Sequence, residues 1–434
     1  MNRYERYKDS GIPWLGEVPA HWDVKKFKHL CKIITGYTPS KNNDENYDEN
    51  GFLWVKPDNL NDFKEISDTK EKISVVGLKS NYLIPKDSIL VCSIGTIGKM
   101  GVAMQDVVTN QQINSFIFNE LVNKSFSKYL IYSAKGIFEH MANDNVVRIL
   151  NSNTQKNIFS PLPPLIEQAE IADYLDKETA KIDRLCETVN QTIGRLKEYR
   201  TALITQAVTK GLDPAAPMKK SGVEWLGDVP AHWQLINLKF LCRVKGGYAF
   251  SSDNFSDEGI PVIRISDILF DGTIDNINCK RIPLELAPNQ KDFELRNGQL
   301  VMAMTGATIG KISKYCSEDY AYINQRVGKF EAFNSRLNYA FLYHLLNTSG
   351  YQEHIKLTAF GGAQPNISDS EMVNYQMALP TMEEQAHIAD YLDKETAKID
   401  RLCDTVNQTI DRLKEYRIAL ITQAVTGKVK VTNE

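Results

Sequence analysis

Three stretches carry side chains suited to reading the edges of nucleic-acid bases, and each stretch is written twice. Tyr37, Thr38 and Ser40 stand in ITGYTPS, answered by Tyr248, Phe250 and Ser252 in KGGYAFSS. Lys56 and Asn59 stand in FLWVKPDNL, against Arg264, Ser266 and Asp267 in PVIRISDIL. The third set is Thr96, Lys99, Asn110 and Gln111, matched by Thr308, Lys311, Asn324, Gln325 and Arg326. Asn and Gln can form two hydrogen bonds to adenine. Arg and Lys can bond guanine or a phosphate, and Asp can accept from cytosine. Taken singly, each of these side chains could equally be a surface polar group or a turn brace. Asn110–Gln111 and Asn324–Gln325 recur among apolar residues, a setting that also suits bracing of the scaffold.

Other chemistries fail on spacing. GTIGK at Gly95–Lys99 and ATIGK at Ala307–Lys311 lack the glycine spacing of a phosphate loop, and Met100 and Ile312 stand where Ser or Thr should hold magnesium. Asp58, Asp68 and Lys70 have the outline of a nuclease set that would bind Mg²⁺ and position water. That pattern lies in a polar stretch, and the second half does not repeat it. PLPPL at Pro161–Leu165 lacks the Asn/Asp-Pro-Pro-Tyr run of an amino-methyltransferase pocket. The seven cysteines show no C-x-x-C pair and the seven histidines no H-E-x-x-H, which argues against a structural zinc site or a disulfide framework. No catalytic or metal-binding residue is expected in this chain.

The elements that would hold the base-reading stretches also come in duplicate. Residues 167–209 match 384–426 at 39 of 43 positions. SGIPWLGEVPAHW at Ser10–Trp22 answers SGVEWLGDVPAHW at Ser221–Trp233. Between these landmarks the halves agree only in outline, so each unit is a divergent globular module followed by a nearly invariant tail. Within the modules, DSILVCSIG and GQLVMAMTG read as buried strands entering glycine turns, and KYLIYSAKGIFEHMA and LNYAFLYHLLNTSGYQEHI read as helices.

The tail has a helical period. Leu175, Ile182, Val189, Leu196 and Leu203 recur every seven residues, with Leu185 beside that column; the second copy repeats them as Leu392, Ile399, Leu402, Val406, Leu413 and Leu420. Two near-identical amphipathic helices suggest antiparallel packing about a pseudo-two-fold axis, offering one exposed surface twice to two copies of a partner. Cys186 and Cys403 sit beside the stripe and read as core thiols.

The bulk numbers agree with a two-module globular chain. The 434 residues include 42% hydrophobic and 24% charged residues, with no run of 18 apolar residues to span a membrane. The start, MNRYERYKDSG, has no apolar segment of the secretory kind. A formal charge of −3 does not advertise nucleic-acid binding, so any such binding must rest on placed contacts or on a partner's help.

Taken together, the chain resembles the specificity (S) subunit of type I restriction–modification enzymes, the HsdS family. The resemblance is carried by TGYTPS at Thr35–Ser40, GGYAF at Gly246–Phe250, the WVKPDNL and VIRISDI stretches and the GTIGK turn. It is strongest in PLIEQAEIADYLD at Pro164–Asp176, echoed at Pro380–Asp393. GGAQPNIS at Gly361–Ser368 adds to it, whereas the first module has NVVRILNSNTQKNI at Asn145–Ile158 instead. The resemblance implies an α+β chain: two divergent mixed α/β target recognition domains joined by two long antiparallel spacer helices forming a coiled coil. The expected boundaries are 1–163 for the first recognition domain, 164–210 for the first helix, 211–380 for the linker and second recognition domain, and 381–434 for the second helix and tail.

The resemblance further implies a non-catalytic, cytoplasmic, prokaryotic subunit whose domains each read one half of a bipartite target in double-stranded DNA. Its helices would set the spacing and dock two methyltransferase (HsdM) subunits, joined by restriction–translocase (HsdR) subunits. S-adenosylmethionine, ATP and Mg²⁺ would belong to those partners. The competing readings are an adaptor that binds only proteins, and a nuclease using Asp58, Asp68 and Lys70.

Overall fold

The computed structural model describes residues 3–63, 65–143, 147–269, 271–287, 291–333, 335–362 and 365–431. Asn145 and Val146, and Ala363 and Gln364 of the GGAQPNIS stretch, lie outside the described residues. The chain divides into two units, Met1–Val189 with Gln408–Glu434, and Asn190–Asn407.

In the first unit a five-stranded sheet runs in the order Cys31–Thr35, Ile113–Phe118, Ile89–Cys92, Met100–Ala103, Glu65–Ile66. Its pairings are antiparallel except the last. Beside it, Tyr47–Val55 pairs in parallel with Val107–Thr109 and antiparallel with Lys72–Ile73. The second unit repeats this plan. Cys242–Gly246, Val327–Ala332, Leu300–Ala303 and Ile312–Lys314 form one sheet, and Ile260–Ile263 pairs in parallel with Ala321–Ile323 in another. Runs such as ILVC and LVMA are buried at every position, as expected of strands covered on both faces.

The repeated tails are the helices Leu165–Lys210 and Met382–Val425, of 46 and 44 residues. Each unit contains a stretch of both. In the first unit Ile171, Leu175 and Ile182 share a core with Leu420, Ile421 and Val425. In the second, Ile204 and Val208 share a core with Ile388 and Leu392. The early part of one helix meets the late part of the other, so they pack antiparallel. Asp183 pairs with Arg417 at 3.3 Å in the first unit, and Asp400 with Arg200 at 3.0 Å in the second. These are the same two repeat positions with the helices exchanged.

Burial follows the repeat at the early positions: Leu175 and Leu392 are fully covered, and Ile182 and Ile399 are buried. Leu420 is buried, whereas Val189, Leu196, Leu203, Val406 and Leu413 are half-buried. Leu185 and Leu402 do not join the seam; each lies on the outer face, 48% exposed.

Each module is clamped to the start of the helix that follows it. Trp22 is fully buried and its indole N–H donates to Glu167 at 2.9 Å, while His21 meets the same carboxylate. Trp233 and His232 repeat the arrangement on Glu384, at 3.1 and 2.7 Å. Next to each glutamate is a fully buried glutamine. Gln168 accepts from the Asn123 backbone N–H and donates to the Leu121 and Pro163 carbonyls. Gln385 does the same with Asn338, Arg336 and Pro380. A buried amide with its hydrogen bonds made is stable, and one robbed of a partner costs roughly 1–3 kcal/mol. This is the physical reason for the repeated A-H-W and E-Q pairs.

Burial opposes ionisation of Glu384, but donors from His232, Trp233 and Thr381 outweigh it and hold the carboxyl at about 2, below its ordinary 4.5. Its contribution to stability is therefore present above about pH 4.5 and is lost as pH falls towards 2. Thermal unfolding of the Glu384→Gln chain is expected to lose part of the pH dependence in that window. An unchanged profile would remove this carboxylate from the account.

Candidate nucleic-acid interface

The three candidate stretches converge in each module, and main-chain bonds bring them together. In the first, the Gly36 N–H donates to the Ile113 carbonyl and the Tyr37 N–H to that of Thr109. The Asn110 N–H donates to the Val55 carbonyl at 3.0 Å, beside Lys56. In the second, Gly247, Tyr248 and Asn324 donate to Val327, Ile323 and Ile263. The first and third stretches thus meet at the end of the strand that carries the basic residue. Only glycine fits the crossing. A Cβ on Gly36 would stand 2.1 Å from the Thr109 oxygen, and one on Gly247 2.2 Å from that of Ile323.

The turn after each basic residue is built alike from different side chains. The Asn59 side-chain Oδ1 accepts from the Lys56 N–H at 2.8 Å, and the Asp267 carboxylate accepts from the Arg264 N–H at 2.9 Å. The Lys56 ammonium lies 4.2 Å from the centre of the Trp54 ring and pairs with Glu71. Lys99 donates to the Pro57 carbonyl at 3.1 Å, which ties the glycine turn to this loop. Gly95 and Gly98, like Gly306 and Gly310, have φ between +71° and +82°, a conformation that favours glycine.

The platforms sort the named residues into two groups. Thr38, Ser40, Thr96, Gln111, Tyr248, Ser252, Ser266, Gln325 and Arg326 are exposed. Lys56, Lys99, Phe250, Arg264, Thr308, Lys311 and Asn324 are half-buried, and the Thr38 hydroxyl bonds the Gln111 amide. The remainder act as braces. Tyr37 is buried, its hydroxyl donating to the Gly77 carbonyl at 2.6 Å. Asn110 is buried and bonded to Gln112 through both amide atoms. Asn59 and Asp267 hold their turns.

The dissimilar loops of the two modules do one job. The Gly95 N–H donates to the Arg148 carbonyl, and the Gly306 N–H to that of Pro365, both at 2.9 Å. Leu150 and Ile367 return a bond to Ser93 and Met304. The segment that lacks the GGAQPNIS motif therefore docks on its glycine turn as the motif itself does. It also brings the exposed Arg148 to the platform, a residue the sequence reading missed because its loop has no counterpart by type. Glu71, which pairs with Lys56, was missed for the same reason. The A-H-W and E-Q clamp could have been found from its repetition alone.

Among the described residues, no group of three or more His, Cys, Asp and Glu is placed to hold a metal ion, and Asp68 pairs with Lys72. No helix among them is long and apolar enough to cross a membrane.

Two unlike polar platforms on one scaffold, each attached to long paired helices, define a class of protein. The model of the type I restriction modification DNA specificity domain matches residues 19–195 and again 230–430, and the chain belongs to that family, the non-catalytic specificity subunits of type I restriction–modification complexes. It is 25% identical over 429 residues to the MjaVIII specificity subunit of Methanocaldococcus jannaschii, covering 96% of this chain and 95% of that one. It is 22% identical to the EcoKI specificity subunit of Escherichia coli K12, covering 95% and 90%. The fold matches a chain from a structural study of complex assembly and conformational transition of the type I R-M system. The TM-score is 0.68 at 15% identity, over 95% of this chain and 99% of that one.

Proposed function

We propose that the modules at 1–163 and 211–380 each read one half of a bipartite target in double-stranded DNA. The helices at 164–210 and 381–434 set the gap and dock two methyltransferase (HsdM) subunits. The observation that carries this reading is the pair of platforms, alike in backbone and unlike in side chains. Such a pair suits two different half-sites. The docking role is supported by the outer faces of the helices. Leu185 and Tyr416 are exposed in the first unit, Leu402 and Tyr199 in the second, so one apolar pair is offered twice.

The chemistry then falls to partners. Adenine is flipped out of the duplex into the methyltransferase pocket, where S-adenosylmethionine supplies the methyl group. HsdR subunits supply ATP-driven movement and Mg²⁺-dependent cleavage. The setting is a prokaryotic cytoplasm, and partners supply phosphate contacts that a chain of charge −3 makes sparingly.

Mapping the methylated adenines in DNA modified by the complex tests the reading. Two short specified patches with an indifferent gap are expected, and one continuous site would overturn it. The same mapping tests the spacing role. Seven residues inserted into both helices keep the heptad and add about 10 Å, roughly three base pairs. The gap should lengthen or binding should be lost; full activity with the original gap would refute the helices as the ruler.

A further inference from the structure

We propose that Arg264 reads a guanine in the half-site addressed by the second module, and that Asp267 is the positioning residue that aims it. The inference rests on the two-platform reading above and deepens it by assigning one base to one side chain.

Arg264 directly follows the strand Ile260–Ile263. Its backbone N–H and Nε both donate to Asp267 Oδ2, at 2.9 and 3.4 Å, and Nη2 donates to Oδ1 at 3.4 Å. The Asp267 side chain is 8% exposed, and its carboxylate also accepts from the Ser266 hydroxyl at 2.9 Å. The Asp267 N–H returns to the Arg264 carbonyl at 2.9 Å. A buried carboxylate held by several donors cannot swing, so the Nε–Nη2 edge of the guanidinium is fixed to the scaffold.

What remains is the end-on edge. Nη1 has no partner among the described residues, and the side chain is 33% exposed. Nη1 and the second hydrogen of Nη2 form a planar two-pronged donor. In the major groove, guanine presents two adjacent acceptors, O6 and N7, that match it. A phosphate contact fixes register without needing so exact an orientation. The Phe255 ring, 6.0 Å from Cζ, flanks the group, and the Asn324 N–H on the Ile263 carbonyl sets exposed Gln325 in the adjoining loop. The first module has Lys56 at this register, a point charge without a fork. The assignment therefore concerns the second module alone.

The test uses the full chain in complex with its methyltransferase subunits. Methylated sites are mapped for the natural sequence, Arg264→Gln, Arg264→Lys and Asp267→Asn. The natural second half-site is expected to contain a G·C pair. Arg264→Gln should lose the preference at that pair, with methylation of the natural site slowed roughly 5- to 150-fold. Asp267→Asn should blur the same pair, and Arg264→Lys should restore it only in part. A uniform fall over all sequences, restored by Arg264→Lys, would make Arg264 a phosphate contact and overturn the proposal. A second half-site without a G·C pair would overturn it too. Exchange of residues 211–380 separates the two levels. If exchange rewrites the second half-site while Arg264→Gln leaves it intact, only the arginine assignment fails. If exchange changes nothing, the platform reading itself fails. Should Asp267→Asn unfold the module, the two Arg264 variants decide the question alone.

Discussion

Replacing residues 1–163 with the corresponding module of another family member is expected to rewrite one half of the DNA target, leaving the other half and the gap as they were. The physical ground is that each unit has its own sheets, its own apolar cores and its own platform. The replacement must carry the His-Trp pair that meets Glu167 and the backbone that meets Gln168. Given those, the divergent side chains of the platform travel as a set. Mapping methylated bases before and after exchange reads the result. A change in both halves, or in neither, would show that the modules do not read independently.

Gly36→Ala and Gly247→Ala should each disable one half-site. The added carbon would lie 2.1 Å from the Thr109 oxygen in one case and 2.2 Å from the Ile323 oxygen in the other. Those oxygens belong to backbone within the platform and have little room to retreat. Steric conflict with main chain is among the few single changes that cost several kcal/mol, on the order of 3–4 here. The crossing loop must move, and with it Thr38 and Gln111, or Tyr248 and Gln325. Sequence preference at one half of the target should collapse, and thermal unfolding should begin earlier. Full specificity with an unaltered melting profile would mean that the crossing is not needed for reading.

Much of the architecture was legible in the sequence because repetition and periodicity are direct signals. The 39 matches in 43 marked the two helices, and the seven-residue spacing marked their buried face at Leu175, Ile182 and their counterparts. The period did not separate Leu185 and Leu402 from the seam, because each stands about one helical turn from its stripe neighbours, Ile182 and Val189 or Ile399 and Val406, and burial depends on which side the partner helix takes. The candidate interface was legible as a set of loops but not residue by residue. Tyr37 and Asn110 have the chemistry of base readers, yet both are turned inward and bonded to their own backbone. Side-chain type shows what a residue can bond, whereas the main-chain crossing at Gly36 decides what it does bond. Pairings across distant positions, such as Lys56 with Glu71, leave no periodic trace at all.

The clamp at each helix start has a consequence for descent. Among the described residues, Gln168 and Gln385 bond the modules through backbone carbonyls and N–H groups alone. A socket of that kind is blind to the alphabet of the plug. Residues on a module's exposed surface can drift, or a whole module can be inherited from elsewhere, as long as the His-Trp pair on the neighbouring glutamate is kept. Recognition and assembly are thus free to evolve on separate clocks within one polypeptide.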